Sequence, residues 1–158
     1  MAHATTELSN EMNAAGNAPE GWTPKILALV CNWCTYAGLD QAGTSRMQRP
    51  ANIRVLRVMC SGRLEPTMVL EAFRRGADGV IVSGCHLGDC HYTSGNYKME
   101  RRMALLKVLL KQLGIHSNRF IQTYISASEG AEATEIFSHF INGIRALGPS
   151  PLNKEWSK

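Results

Sequence analysis

No stretch of this 158-residue chain reaches the roughly 18 consecutive apolar residues that a membrane-spanning helix needs. Its N-terminus has neither the basic start nor the apolar run of a secretory signal. The chain is therefore expected to stay in the cytoplasm, with no membrane partner. Charge of one sign is scarce too. The formal net charge is +4, and Arg54, Arg57, Arg74, Arg75, Arg101 and Arg102 fall inside expected elements instead of gathering in one patch. They read as solvated faces, which speaks against a nucleic-acid partner. Also missing are G-x-G-x-x-G, G-x-x-x-x-G-K-[ST] and the strand–turn–helix signature of a hydrolase nucleophile. An independent nucleotide enzyme or hydrolase is thereby disfavoured. The five cysteines are an odd number, which argues against a full disulfide framework. In a reducing compartment, clustered thiols read as metal ligands or redox groups.

What is present is a regular alternation. Apolar residues make up 44% of the chain, enough for a real core. Residues 1–23 are polar, small and without periodicity and are read as a flexible tail; residues 149–158 are read as a second short one. Between them lies one domain, 24–148. Four runs read as strands: Lys25–Val30, Ile53–Met59, Gly79–Ser83 and Phe120–Ile125. Helical patterns fill the gaps at about 36–47, 66–76, 97–113 and 131–147. Pro66 opens the second of these, and Gly76, Gly114 and Gly148 stop the last three. The third carries Met103, Leu106, Leu110 and Leu113 at helical spacing.

Strands alternating with helices imply an α/β fold, a parallel sheet with helices on both faces. A flavodoxin-like order 2-1-3-4 fits best, because the two arginines of the second strand suit an edge. In that order Cys31 ends strand one, Cys34 lies in the turn after it and Cys60 ends strand two. Cys85 and Cys90 bracket the loop after strand three. All five sulfurs then gather at the carboxyl end of the sheet, at the switch point where open α/β sheets bind ligands. One buried cysteine is an ordinary small apolar residue; five at neighbouring strand ends are not so readily explained.

The spacings point to chemistry. Cys31 and Cys34 form a C-x2-C pair, and Cys85 and Cys90 a C-x4-C pair. Both spacings occur around iron–sulfur clusters. A structural zinc site is the direct rival, and a thiol–disulfide exchanger built on Cys31 and Cys34 is the second. His86 and His91 each follow a cysteine and suit hydrogen bonding around the site better than ligation. Trp33 lies between two candidate ligands, where it can shield the site from water. Arg63 can offset negative charge there.

Cys-Asn-Trp-Cys-Thr-Tyr-Ala-Gly (31–38), Arg-Val-Met-Cys-Ser-Gly-Arg (57–63), Gly-Cys-His-Leu-Gly-Asp-Cys-His-Tyr (84–92), Gly-Asn-Tyr-Lys-Met-Glu-Arg-Arg (95–102) and Ile-Ser-Ala-Ser-Glu-Gly (125–130) resemble the delta subunit of methyl-viologen-reducing hydrogenase. The resemblance runs from about Pro24 to Pro149. It implies a single [2Fe-2S] cluster held by cysteines, and a non-catalytic relay role in an electron-bifurcating complex of methanogenesis. It implies as partners the flavin subunit of heterodisulfide reductase and, on the input side, a nickel–iron hydrogenase or a formate dehydrogenase. The stretch before Pro24 is longer than the family leads one to expect. For the ligands, two short loops that each deliver two thiolates favour Cys31, Cys34, Cys85 and Cys90. Cys60 is the runner-up, able to displace Cys31.

Overall fold

The computed structural model describes residues 21–48 and 51–152. The tails expected at 1–23 and 149–158 fall largely outside them. Four strands, β1 (Ile26–Cys31), β2 (Ile53–Val58), β3 (Gly79–Gly84) and β4 (Phe120–Tyr124), form one parallel sheet in the order β2-β1-β3-β4. The helices are α1 (Ala37–Thr44), α2 (Pro66–Arg74), α3 (Gly95–Gln112) and α4 (Gly130–Leu147). The α/β class and the strand order are those expected from the alternation of apolar runs.

Side-chain alternation along the central strands splits the core in two. Ile26, Ala28, Val30 and Ile81 face α1 and α4, where Phe137, Ile141 and Ile144 are fully buried. Leu29, Val80 and Val82 face α2 and α3, against Phe73, Met99 and Met103. Every residue of β3 is buried, as an interior parallel strand requires. β2 buries none of its residues completely, and Arg57 lays its guanidinium 4.8 Å from the centroid of the Tyr36 ring. The edge position that its arginines suggested is the one it occupies.

Local details differ from the sequence pattern. The segment expected as one helix from Tyr36 begins earlier, as a π-helical turn over Asn32–Tyr36 that runs into α1. Leu113 shares the helical spacing of Met103, Leu106 and Leu110 but is exposed, because α3 ends at Gln112 and the chain turns away at Gly114. β2 ends at Val58, so Cys60 lies two residues beyond it, at the start of a 3-10 turn over Ser61–Arg63.

A buried charged pair pins the amino end of the sheet. Asp78, just before β3, accepts hydrogen bonds from the backbone N–H of Lys25 (2.9 Å) and of Ser150 (2.8 Å). Arg119, just before β4, donates to the carbonyls of Asp78, Leu147, Gly148 and Pro149 at 3.0, 3.3, 2.9 and 3.0 Å. Residues 149–152 are thus tied to the fold, and Leu152 packs on the core. Burial pulls the Arg119 pKa down, and the charge of Asp78 opposes that shift. Replacing Arg119 with Met strips donors from four carbonyls at once. The variant should lose about 2–4 kcal/mol of stability, read as a lower urea midpoint. A loss under about 1 kcal/mol would mean that water replaces the guanidinium freely.

A five-thiol centre at the carboxyl end of the sheet

Register fixes the first sulfurs. Cys31, the last residue of β1, pairs with Val58 of β2, while Val30 pairs with Ser83 of β3. Cys31 and Cys85 therefore emerge side by side, with their Sγ atoms 3.7 Å apart. Both are 1% exposed. Cys34 follows in the π-helical turn. That turn is anchored by Thr35, whose buried hydroxyl meets Ser83 Oγ at 2.9 Å. Such turns displace a side chain from its α-helical position and recur at functional sites. Here the turn brings the Cys34 thiol to that of Cys85.

Cys60 and Cys90 form a second pair, with Sγ atoms 3.8 Å apart. Cys60 starts the 3-10 turn, and its sulfur accepts from the Gly62 N–H at 3.4 Å. Arg102 holds that turn against α3: it donates to Gly62 O at 2.7 Å and pairs with Glu65 at 3.0 Å. Cys90 lies just ahead of α3. The approach is possible because Gly95 has no side chain. A Cβ there would run into Cys60 Sγ and stand 3.1 Å from Cys90 Sγ. One at Gly62 would stand 2.7 Å from Gly95 Cα. Buried Asn96 donates to His86 O at 2.5 Å, and His86 Nε2 meets Glu129 Oε2 at 2.7 Å. The loop after β3 is thereby tied to both α3 and the start of α4.

The electrostatics separate the thiols. Burial pushes Cys85, Cys34 and Cys60 up from the ordinary thiol value. Burial opposes the Cys90 thiolate too, but the backbone N–H groups of Tyr92, Asn96 and Gly95, with the Cys60 thiol, outweigh it. Cys90 is held below the ordinary value. This is the anion-stabilising geometry of a helix N-terminus. Glu129 is held low by the Ser126 N–H and then by His86.

All five cysteines singled out in the sequence meet here, but they do not pair by loop. Cys31 and Cys34 both turn to Cys85, and Cys60 pairs with Cys90. Arg63 is exposed, and His86 points its ring at Glu129 and away from ligation. Sequence reasoning gave no role to Gly95, Asn96 or Glu129. Their motifs stood out, but nothing in a sequence says which glycine a folded sulfur will need.

The donor set is chemically suited to a thiolate-ligated metal group. A metal bound tetrahedrally at about 2.3 Å separates two thiolates by about 3.8 Å, which is the spacing of both pairs. Among the described residues, the donors do not converge as three or more around one metal ion. The close contacts are Cys31 and Cys34 on Cys85, and Cys60 on Cys90.

The fold and the site together define a doubly wound α/β domain with a cysteine centre at its switch point. Residues 26–148 match the family described as methyl-viologen-reducing hydrogenase, delta subunit, and the chain belongs to that family. It is 50% identical over 139 residues to the vhc iron–sulfur subunit of an F420-non-reducing hydrogenase of Methanococcus voltae, covering 88% of this chain and 96% of that one. It is 52% identical over 130 residues to the iron–sulfur subunit of the F420-non-reducing hydrogenase of Archaeoglobus profundus, covering 82% and 95%. A third similarity is of another kind. Over 145 residues the chain is 41% identical to one subunit of the ferredoxin:CoB-CoM heterodisulfide reductase of Methanosarcina mazei, covering 90% of this chain but 18% of that longer protein.

Two outcomes follow from the geometry. Replacing Gly95 with Ala should spread the Cys60–Cys90 pair. Anaerobic titration of the metal-free chain with cobalt(II) should then show affinity about tenfold weaker, and unchanged affinity would show that the close approach is dispensable. Alkylation of the metal-free chain by iodoacetamide should accelerate with pH at a lower midpoint for Cys90 than for Cys34. The Cys90 thiolate forms below the ordinary thiol value and that of Cys34 above it. Coincident midpoints would remove the role of the α3 N-terminus.

Proposed function

We propose that this chain is a cytoplasmic electron-relay subunit carrying a [2Fe-2S] cluster. It would pass electrons from a nickel–iron hydrogenase or a formate dehydrogenase to the flavin subunit of a heterodisulfide reductase, in an electron-bifurcating complex of methanogenesis. The observation that carries the reading is the pair of thiol pairs at the switch point, 3.7 and 3.8 Å across. Each pair can clamp one iron. Such a cluster, when bound, takes up and returns one electron at a time.

We assign Cys31 with Cys85 (3.7 Å) to one iron and Cys60 with Cys90 (3.8 Å) to the other, with Cys34, whose thiol also meets Cys85, as the fifth. The set suggested by loop spacing alone has Cys34 in place of Cys60. The protein surroundings suit a negatively charged centre. Backbone N–H groups at the start of α3 face Cys90, and the Gly62 N–H faces Cys60. Thiol–disulfide exchange through Cys31 and Cys34 is less well supported. Both thiols turn to Cys85, and burial keeps Cys34 from its nucleophilic form.

The relatives named as hydrogenase subunits support an electron donor of that kind. The similarity to part of a heterodisulfide reductase protein supports the acceptor. In that relative a domain like this one is joined to the reductase sequence in one polypeptide.

Chain prepared anaerobically with its partners should contain about two iron and two acid-labile sulfide per copy. Electron paramagnetic resonance of the reduced protein should lose its signal in Cys60→Ser and keep it in Cys34→Ser. The opposite pattern would select the loop-spacing set. Zinc without labile sulfide would end the cluster reading. Normal reduction of the partner flavin by a cluster-free variant that still assembles would end the relay.

A further inference from the structure

The two cysteine loops meet a second time through three aromatic rings. Trp33, between Cys31 and Cys34, stacks on His91, the neighbour of Cys90, at 4.0 Å between centroids and 16° between planes. Tyr92 stands edge-on to both rings, 6.5 Å from Trp33 and 5.0 Å from His91. The Trp33 indole N–H donates to the Tyr92 hydroxyl at 3.3 Å. Ordinary packing does not explain the group. Trp33 is 41% exposed and Tyr92 47%, so neither ring fills the core.

We propose that Trp33, His91 and Tyr92 form a clasp that fastens the two cysteine loops together and limits access to the thiols beside it in sequence, Cys34 and Cys90. The inference extends the cluster reading, and its main test is independent of it. The mechanical argument starts from residues 85–94, which contain no strand or helix. Two of them hold positive φ, Gly88 at 97° and Thr93 at 66°, so no regular ladder dictates the path. The near end of the loop is held by Asn96 and by the His86–Glu129 contact. The far end carries Cys90. There the Cys90 sulfur meets Cys60 and the N–H groups that open α3, and Trp33 adds the stack on His91 and the indole bond to Tyr92. Without the indole, residues 91 and 92 lose both of those ties to the first cysteine loop, and the far end keeps its sulfur contacts and its internal turn bonds, such as Thr93 N–H to Cys90 O at 2.8 Å. Cys34 is the next residue after Trp33 on the π-helical turn, so the same loss frees its segment from the second loop. Cys31 and Cys85 are more deeply buried, at the ends of β1 and β3. Trp33 is thus a positioning residue: it holds thiols in place without being a ligand.

The test uses the full chain, metal-free, reduced and anaerobic. Each thiol is labelled with N-ethylmaleimide and followed by mass spectrometry. In Trp33→Ala, Cys34 and Cys90 should label about two- to tenfold faster than in the unaltered chain, with Cys31 and Cys85 unchanged. His91→Ala should do the same. Trp33→Phe, which keeps a ring to stack but loses the N–H, should stay within about twofold of the unaltered rate. As a second readout, the visible absorption of the reconstituted protein should bleach several-fold faster under an iron chelator in Trp33→Ala. Labelling of Trp33→Ala at the unaltered rate would overturn the clasp. So would equal acceleration of all five thiols, which reports general loosening, or Trp33→Phe as fast as Trp33→Ala. If the protein takes up no iron, the cluster reading fails, and the labelling ratios still decide the clasp.

Discussion

The parallel pairing of β1 between β2 and β3 is the constraint on which the rest depends. Parallel strands end together, so one register delivers Cys31, the approach to Cys60 and the approach to Cys85 to the same edge. The crossovers then set what lies above each end. The helix after β1 begins as a π-helical turn, which turns Cys34 toward Cys85. The helix after β3 begins at Gly95, and its N-terminus meets Cys90 and the turn bearing Cys60. A slip of β1 by one residue would exchange its two buried faces and move Cys31 away from Cys85. The two cores therefore guard the register, and the register guards the site.

Bringing five thiols together has an energetic cost that the chain meets only in part. Desolvation raises Cys34, Cys60 and Cys85, so in the metal-free chain these groups favour the neutral form. Cys90 has enough N–H donors to lean the other way. A thiolate-binding metal group must therefore displace protons from most of its ligands, and its binding couples to pH and to the order of the loops. Backbone N–H groups at Cys60 and Cys90 supply a fixed field for negative sulfur whether or not anything is bound. Oriented dipoles of this sort need no reorganisation when charge changes, a property that suits electron transfer as well as metal retention.

Much of this was legible in the sequence, and the reason is periodicity. Gly79–Ser83 is apolar throughout because β3 is covered on both faces. Arg54 and Arg57 mark β2 as an edge. Cysteines directly after apolar runs fall at strand ends. Pairing of the sulfurs was not legible. Sequence neighbours suggest Cys31 with Cys34 and Cys85 with Cys90, whereas distance couples Cys31 with Cys85 and Cys60 with Cys90. Those contacts cross between strands, and loop spacing carries no information about them. Gly95 was hidden for the same reason, since its importance lies in two sulfurs from other segments. Arg119 was hidden because a lone arginine before a strand reads as surface, and only the folded chain places four carbonyls around it.

The two ends of the sheet divide the demands of stability and chemistry. At the amino end, Asp78 and Arg119 lock the residues just before three strands and the chain after α4 with buried, charge-assisted bonds. Among the described residues that end carries no cysteine. At the carboxyl end, order comes from separate local ties: one hydroxyl pair at Thr35, one amide at Asn96, one His86–Glu129 contact, the Arg102 bonds to Gly62 and Glu65, and the Trp33 stack. Local ties at a site are a liability only if the fold depends on them. Here the fold is secured from the opposite end and by two apolar layers, so the loops can open around the thiols without releasing the sheet. The proposed metal-binding role would need both properties, and the parallel sheet separates them by the length of its strands.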